Sequence, residues 1–311
     1  DRRHVLGPHE WRLPSDAVCS AMHVVARPSD LRAFQRDGTP YPVRTVTDLT
    51  GSGVNDAQPR WPFRMAGPDA AVRLISEFGC VALGSTDLSK YYPSCPLHPN
   101  AQRYVYVKDP RCDPRWHGSG PPSVEWRAFM AQRASEPRRG AYRRHTGLPL
   151  GLRLAPPFAC ALSGEMVHFL TAIGVHCTMY CDDLLIAARS DEKCSRDMDD
   201  ASAFFSWLGF KCNPEKREGP AASLPYVGWV IDTEQGTISI SEARRTDLLA
   251  ATRRLRQGAL LAKDLESVIG KLGFAAGVIC GGRTYLHRLL VALHGALDSG
   301  ATELTLDNDA L

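Results

Sequence analysis

No apolar run in this sequence approaches the roughly 20 residues needed to cross a bilayer, and Asp1-Arg2-Arg3-His4 opens the chain without the apolar core of a signal peptide. No membrane partner is therefore expected, and an intracellular location is. The ten cysteines include no Cys-x-x-Cys pair, which argues against a zinc site and, over 311 residues, against a disulfide framework. Reduced thiols are the expectation. Excess charge is nearly lacking too: the net is only +3, which by itself calls for no polyanionic partner. What is present is an ordinary globular mixture, 44% hydrophobic and 23% charged, on a chain long enough for a large core and two or three subdomains. Its abrupt start and finish suggest a segment of a larger polyprotein.

The small net charge hides an uneven distribution. Between Arg127 and Arg153 stand seven arginines (Arg127, Arg133, Arg138, Arg139, Arg143, Arg144, Arg153) against one acid, Glu136. Such a stretch is either a solvated loop or a phosphate-facing surface. The more telling stretch runs from Val175 to Ala188, where two β-competent apolar runs flank Asp182-Asp183. This pattern reads as a hairpin with its acids at the turn. Aspartate is common at turns for conformational reasons alone. Two adjacent carboxylates between buried flanks nevertheless repel, and a divalent cation with hard oxygen ligands offsets that repulsion. A third carboxylate upstream should then reach the same ion.

Asp87 is that candidate. Pro68 to Phe78 is helical in pattern, with Val72, Leu74/Ile75 and Phe78 as its apolar face and Gly79 as its stop. An apolar strand, Cys80 to Thr86, follows and delivers Asp87 at its end, a position that also suits a helix N-cap. Upstream, Tyr41 to Thr50 alternates as a half-exposed strand carrying Arg44 and ends in the turn-prone Gly51-Ser52-Gly53-Val54-Asn55-Asp56. Downstream come a strand at Arg103 to Val107, an irregular stretch to Arg144 with one helical pattern at Val124 to Gln132, and the turn Leu148-Pro149-Leu150-Gly151. A long apolar helix over Phe158 to Ile173 leads into the acidic hairpin. After it, Ser190 caps an amphipathic helix reaching Leu208, and Tyr226 to Ile231 and Thr237 to Ile240 read as strands. Helices over Glu242 to Gln257, Lys263 to Val278 (Leu265, Ile269, Leu272 and Ala276 inward) and Arg283 to Leu297 close the chain as a helical subdomain.

Taken in that order, these pieces resemble a reverse transcriptase, from about Arg44 to Leu290. Asp87 with Tyr92 resembles its first catalytic motif, Leu148-Pro149-Leu150-Gly151 the second, and Tyr180-Cys181-Asp182-Asp183 the third. Asn213-Pro214-Glu215-Lys216 resembles the fourth, and Tyr226-Val227-Gly228-Trp229 the primer grip. Asp264 to Ala275 and Gly282 to Leu289, with Asp48-Leu49-Thr50 and Gly53 to Asp56, are most similar to LTR-type retroelements of the tyrosine-recombinase (DIRS-like) group. Leu150 departs from the Gln of retroviral members, and the Val107–Leu148 stretch is roughly twenty-five residues longer than the family pattern.

The resemblance implies an α+β right-hand polymerase. Fingers would cover 1–62 and 108–153 with the Arg-rich insertion, the palm 63–107 and 154–240 with an antiparallel sheet on helices, and thumb or connection helices 241–311. It implies RNA-directed DNA polymerisation, a nucleotidyl transfer using two Mg²⁺ ions, with Mn²⁺ a substitute. Asp87, Asp182, Asp183 and the Leu88 carbonyl would be the metal ligands. Arg36 and Arg44 would meet the triphosphate, Tyr92 would exclude a ribose 2′-hydroxyl, and Leu150 and Gly151 would approach the incoming base pair. Lys216 would serve as general acid, with Arg217 its competitor one residue on. The partners implied are a template with primer, dNTPs, and RNase H and recombinase domains outside this chain. Two other functions remain open: a catalytically silent nucleic-acid scaffold, and an RNA-dependent RNA polymerase.

Overall fold

The computed structural model describes residues 6–10, 15–25, 44–108, 142–255, 260–279 and 281–306. Arg36, the helix expected at Val124 to Gln132 and four of the seven clustered arginines lie outside the described residues, and Arg44 is described by its backbone alone. The chain divides into two compact units, one of residues 1–64 and 89–162, the other of 65–88 and 163–311.

The first unit is built on a five-stranded sheet of β1 (Leu6–Glu10), β2 (Cys19–Val25), β3 (Arg44–Asp48), β5 (Tyr106–Lys108) and β6 (Tyr142–His145), in the order β1-β6-β5-β2-β3. All its pairings are antiparallel except β2 with β5. The expected strand at Arg103 to Val107 starts later than its apolar residues suggest, because Pro99–Gln102 forms a single helical turn first. At the β3 edge the Thr47 N–H donates to the Leu150 carbonyl at 3.0 Å, while Asn55 Nδ2 donates to the Gly151 carbonyl at 2.9 Å. Gly151 has a φ of 105°, and a Cβ there would collide with the Thr47 carbonyl. This turn therefore needs glycine for the fold, before any ligand is considered.

Inside this sheet His145 is 5% exposed, hydrogen-bonded through Nε2 to Thr47 Oγ1 at 3.0 Å and without a partner at Nδ1. Burial lowers its pKa from 6.5 to about 4. Folding thus excludes a proton that the unfolded chain binds, so the stability is fully present above pH 6.5 and is lost as pH falls toward 4. The loss should reach about 3 kcal/mol. Urea unfolding midpoints measured between pH 8 and 4.5 should fall for the native chain, and fall less steeply for His145→Gln.

The second unit holds the acidic hairpin. Helix α1 (Pro68–Phe78) matches the sequence reading to the residue, with Gly79 left-handed at its end and its N–H on the Ile75 carbonyl. Its inward face differs at Val72, which is 46% exposed while Ala71 and Leu74 are buried, because the small alanine permits closer approach. Strand β4 (Ala82–Ser89) lies at the centre of a second sheet, order β10-β4-β8-β7, formed with β7 (Cys177–Tyr180), β8 (Asp183–Ala188) and β10 (Glu218–Ala221). The two-residue strand β9 (Lys211–Cys212) also pairs with β4. Every residue from Leu184 to Ala188 is buried, so β8 is a two-faced core strand, not an alternating one.

Period-two alternation sorts the faces. Leu83, Leu185 and Ala187 pack with Ala71 and Leu74 of α1 and with Leu224, Tyr226 and Ile231. On the other face a Cβ at Gly84 would meet the sulfurs of Met198 and Cys194, which belong to helix α5 (Asp191–Trp207). Ser190 caps α5 as its sequence predicts, accepting from the Lys193 N–H at 3.2 Å. A further helix, α4 (Ala155–Ala172), enters the hairpin, and between β4 and α4 the first unit contributes the single turns α2 (Tyr91–Ser94) and α3 (Pro99–Gln102). Among the described residues the eight cysteines form no disulfide.

The strand expected at Tyr226 to Ile231 is instead a hairpin. Strands β11 (Ser223–Tyr226) and β12 (Trp229–Asp232) join through Val227-Gly228, whose φ values of 51° and 88° make a tight primed turn. A β-branched residue in that region is strained, and apolar patterning does not reveal it. Strand β13 (Thr237–Ile240) completes this sheet. Helix α6 (Glu242–Leu255), the short pair β14 (Leu260–Leu261) and β15 (Glu303–Leu304), α7 (Ala262–Ala275) and α8 (His287–Asp298) form the helical part. Leu255, Leu265, Ile269, Leu289 and Leu293 are its core. The third expected helix begins as a 3₁₀ turn at Gly282–Leu286, so α8 proper starts four residues late. Among the described residues no helix is long and apolar enough to cross a membrane.

Candidate active site

Two antiparallel ladders bring the acids together. Asp87 lies opposite Asp183 where β4 pairs with β8, and Tyr180 lies opposite Asp183 where β7 pairs with β8. That leaves Cys181-Asp182 as the two-residue turn. Asp87 is within β4, not past its end, because the ladder continues to this pair. Alternation puts Asp87 and Asp183 on one face of the sheet, and the turn carries Asp182 to the same point. One carboxylate oxygen from each of Asp87, Asp182 and Asp183 lies within 4.8 Å of the others. The upstream acid does reach the hairpin.

The tip is held by bonds with no sequence signature. Cys181 adopts a left-handed φ of 55° while being 7% exposed, and the Ser163 hydroxyl of α4 donates to its carbonyl at 2.6 Å. The Leu88 N–H donates to the Asp182 carbonyl at 3.0 Å, and the Tyr226 hydroxyl donates to the Asp183 carbonyl at 3.0 Å. Tyr226 is 2% exposed, and burial pushes its phenol far above the usual range, so it acts only as a neutral donor.

Crowding sets the electrostatics. Burial first, and then the Asp182 and Asp87 charges, push the Asp183 carboxyl from 3.8 up to about 7, while Lys216 pulls it back. Lys216 Nζ contacts Asp87 Oδ2 at 2.9 Å. Arg217 turns away to Asp199 on α5 at 2.7 Å, so of these two cations it is Lys216 that contacts an acid of the group. A group of three hard carboxylate donors under mutual repulsion fits a divalent cation.

The remaining predicted residues fall into three sets. Leu88 is buried in β4 and Tyr92 is half-buried in α2, edge-on to Tyr91 with ring centroids 6.0 Å apart. Leu150 and Gly151 form the turn on β3 described above. In the primer-grip segment, Tyr226 and Trp229 point into the core (2% and 4% exposed), leaving only Val227-Gly228 partly exposed at the turn. Trp229 stacks on Phe274 of α7 at 4.5 Å, and the Arg244 guanidinium lies over the same ring at 4.1 Å. Sequence reasoning missed Ser163 and His145, and placed Asn55 in a turn without its bonds to Gly151 and Arg153. Ser163 had no signal inside an apolar helix, whereas Asn55 among glycines was a recognisable turn-maker.

Residues 78–231 match the family model for reverse transcriptase (RNA-dependent DNA polymerase). They form a reverse transcriptase domain. The enzyme class that goes with such a domain is nucleotidyltransferase, and its members depend on divalent metal. Solved structures agree in fold. A foamy viral protease-reverse transcriptase in complex with RNA/DNA hybrid aligns with a TM-score of 0.60 at 13% identity, over 94% of this chain and 31% of its own. A foamy viral protease-reverse transcriptase with dsDNA gives 0.60 at 15%, over 94% and 49%, and a dRH form with ds DNA gives 0.58 at 13%, over 98% and 48%. The chain thus spans 31% to 49% of the length of these relatives. No curated protein matches it by sequence.

Proposed function

We propose that the chain is an RNA-directed DNA polymerase that adds deoxynucleotides to a primer 3′-hydroxyl on an RNA or DNA template, in the replication of an LTR-type, DIRS-like retroelement. One observation carries the reading: three carboxylates meet within 4.8 Å at the β4 and β7–β8 tip of a reverse transcriptase domain. The foamy viral relatives in complex with RNA/DNA hybrid and dsDNA support a nucleic-acid duplex as partner. The division into fingers (1–62 and 108–153), palm (63–107 and 154–240) and thumb or connection (241–311) belongs to the same proposal.

Asp87, Asp182 and Asp183, with the Leu88 carbonyl, would hold the divalent ions, Mg²⁺ by preference for hard oxygen. Bound there, such ions supply charge stabilisation for an in-line phosphoryl transfer. The chain's own residues do the positioning. Ser163, the Leu88 N–H and Tyr226 fix the backbone of the hairpin tip, so the acids need no rearrangement on ligand entry. Tyr92 limits space at the sugar 2′ position, Gly151 allows the backbone to approach the base pair, and Arg44 and Arg36 neutralise the triphosphate. Lys216 donates a proton to the leaving pyrophosphate. The Val227-Gly228 turn meets the primer strand, and the helical arginines follow phosphates without reading sequence.

The test is extension of a DNA primer on poly(rA) with Mg²⁺ and either dTTP or UTP. Incorporation of dTTP in preference to UTP is expected. A silent scaffold would extend neither, and an RNA-dependent RNA polymerase would favour UTP.

A further inference from the structure

The loop carrying Lys216 is clipped to the strand carrying Asp87 on both sides. Before it, the Asn213 N–H donates to the Asp87 carbonyl at 2.8 Å, and Asn213 Oδ1 accepts from the Glu215 N–H at 3.2 Å. After it, β10 pairs with β4 through Glu218 opposite Ser85 and Ala221 opposite Leu83. Gly219, with a φ of 94°, sits so close that a Cβ would strike the Leu83 carbonyl. Arg217 ties the same loop to α5 through Asp199. The backbone of Lys216 is therefore fixed over Asp87, and the side chain is what retains freedom. The two partners differ in burial: the Asp87 side chain is 12% exposed and that of Lys216 is 53% exposed.

We propose that Lys216 is the resident counter-ion of Asp87 and competes with a divalent cation for that carboxylate, so the ammonium leaves the triad when the cation enters. This rests on the metal-binding reading of the triad. The ammonium sits 2.9 Å from Asp87 Oδ2, whereas a Mg²⁺ ligated by an oxygen lies about 2.0–2.1 Å from it. Both cations cannot occupy one oxygen without strong repulsion. Water already reaches half of the lysine, so the ammonium can swing out without crossing a closed core. The competition orders events as well. Lys216 becomes available to a leaving group only once a cation holds Asp87, which couples proton donation to metal loading.

The test measures Mn²⁺ affinity of the full chain by the electron paramagnetic resonance signal of the free ion, with no nucleotide present. A half-exposed ion pair contributes at most about 1 kcal/mol, so Lys216→Gln should bind Mn²⁺ about two- to fivefold more tightly. Arg217→Gln removes an equal charge one residue away and should shift affinity by less than about half that factor, since field falls off and only contact competes. Unchanged or weaker binding by Lys216→Gln, or equal gains in both variants, overturns the proposal. Asp182→Asn should weaken binding at least tenfold; if it does not, the metal-binding reading itself fails. As a second readout, acylation of Lys216 followed by mass spectrometry should rise at least threefold on adding Mg²⁺ to the native chain. An unchanged rate would contradict release.

Discussion

Asp182→Ala is expected to reduce primer extension by at least about 10³-fold, because under the proposed function it removes a metal ligand where charge develops in the transition state. Steady-state incorporation of dTTP on poly(rA) measures it. The same substitution should have the opposite effect on the metal-free fold. Asp183 is pushed up to about 7, by burial and then by Asp182 and Asp87. A carboxyl raised in the folded state destabilises that state progressively as pH rises from about 4 toward 7. Removing the Asp182 charge relieves part of this, so in EDTA at pH 8 the variant should melt higher than the native chain, by roughly 1 kcal/mol of stability. Mg²⁺ should then raise the native Tm and leave the variant nearly unmoved. Loss of activity with a raised metal-free Tm separates a catalytic role from a folding one. A variant with lowered metal-free Tm would contradict the repulsion argument.

Tyr92→Val should relax sugar selection by about 10²-fold, measured as the ratio of kcat/KM for dTTP against UTP on the same primer. The magnitude follows from steric discrimination, where each lost contact group contributes about 1–3 kcal/mol. Tyr92 is half-buried in the single turn Tyr91–Ser94, held against Tyr91, whose own hydroxyl donates to the Ala159 carbonyl at 2.9 Å. That support makes the ring a fixed wall. The gain should therefore appear as rNTP use with dTTP incorporation little changed. Equal losses for both nucleotides would assign Tyr92 to packing instead.

Several elements could be read directly because the physics that fixes them is local. Proline at the start and glycine at the end bound α1 to the residue. Ser190 is followed by acids suited to a helix N-terminus, and α5 begins there. The acidic hairpin is legible too, since two apolar strands around a polar pair admit little else. The turn at Val227-Gly228 was not, because a valine in the left-handed region contradicts local preference and is held by Tyr226 and Trp229 in the core. On α1, Leu74, Ile75 and Phe78 pack inward as their spacing predicts, and only Val72 differs, its place in the core taken by Ala71.

The sequence by itself determined the chemistry available: three carboxylates at the ends of apolar runs, a lysine after Asn-Pro, and glycines where the backbone must turn. Only the tertiary structure decided which of these meet. Asp87 faces Asp183 because β4 and β8 pair in one register, and a slip by one residue would turn either acid to the opposite face. Lys216, not Arg217, reaches the acids because Asn213 and β10 clip the loop to β4 while Asp199 takes the arginine. Contacts between residues a hundred positions apart depend on pairing and packing energies summed over whole sheets, which no short stretch of sequence encodes.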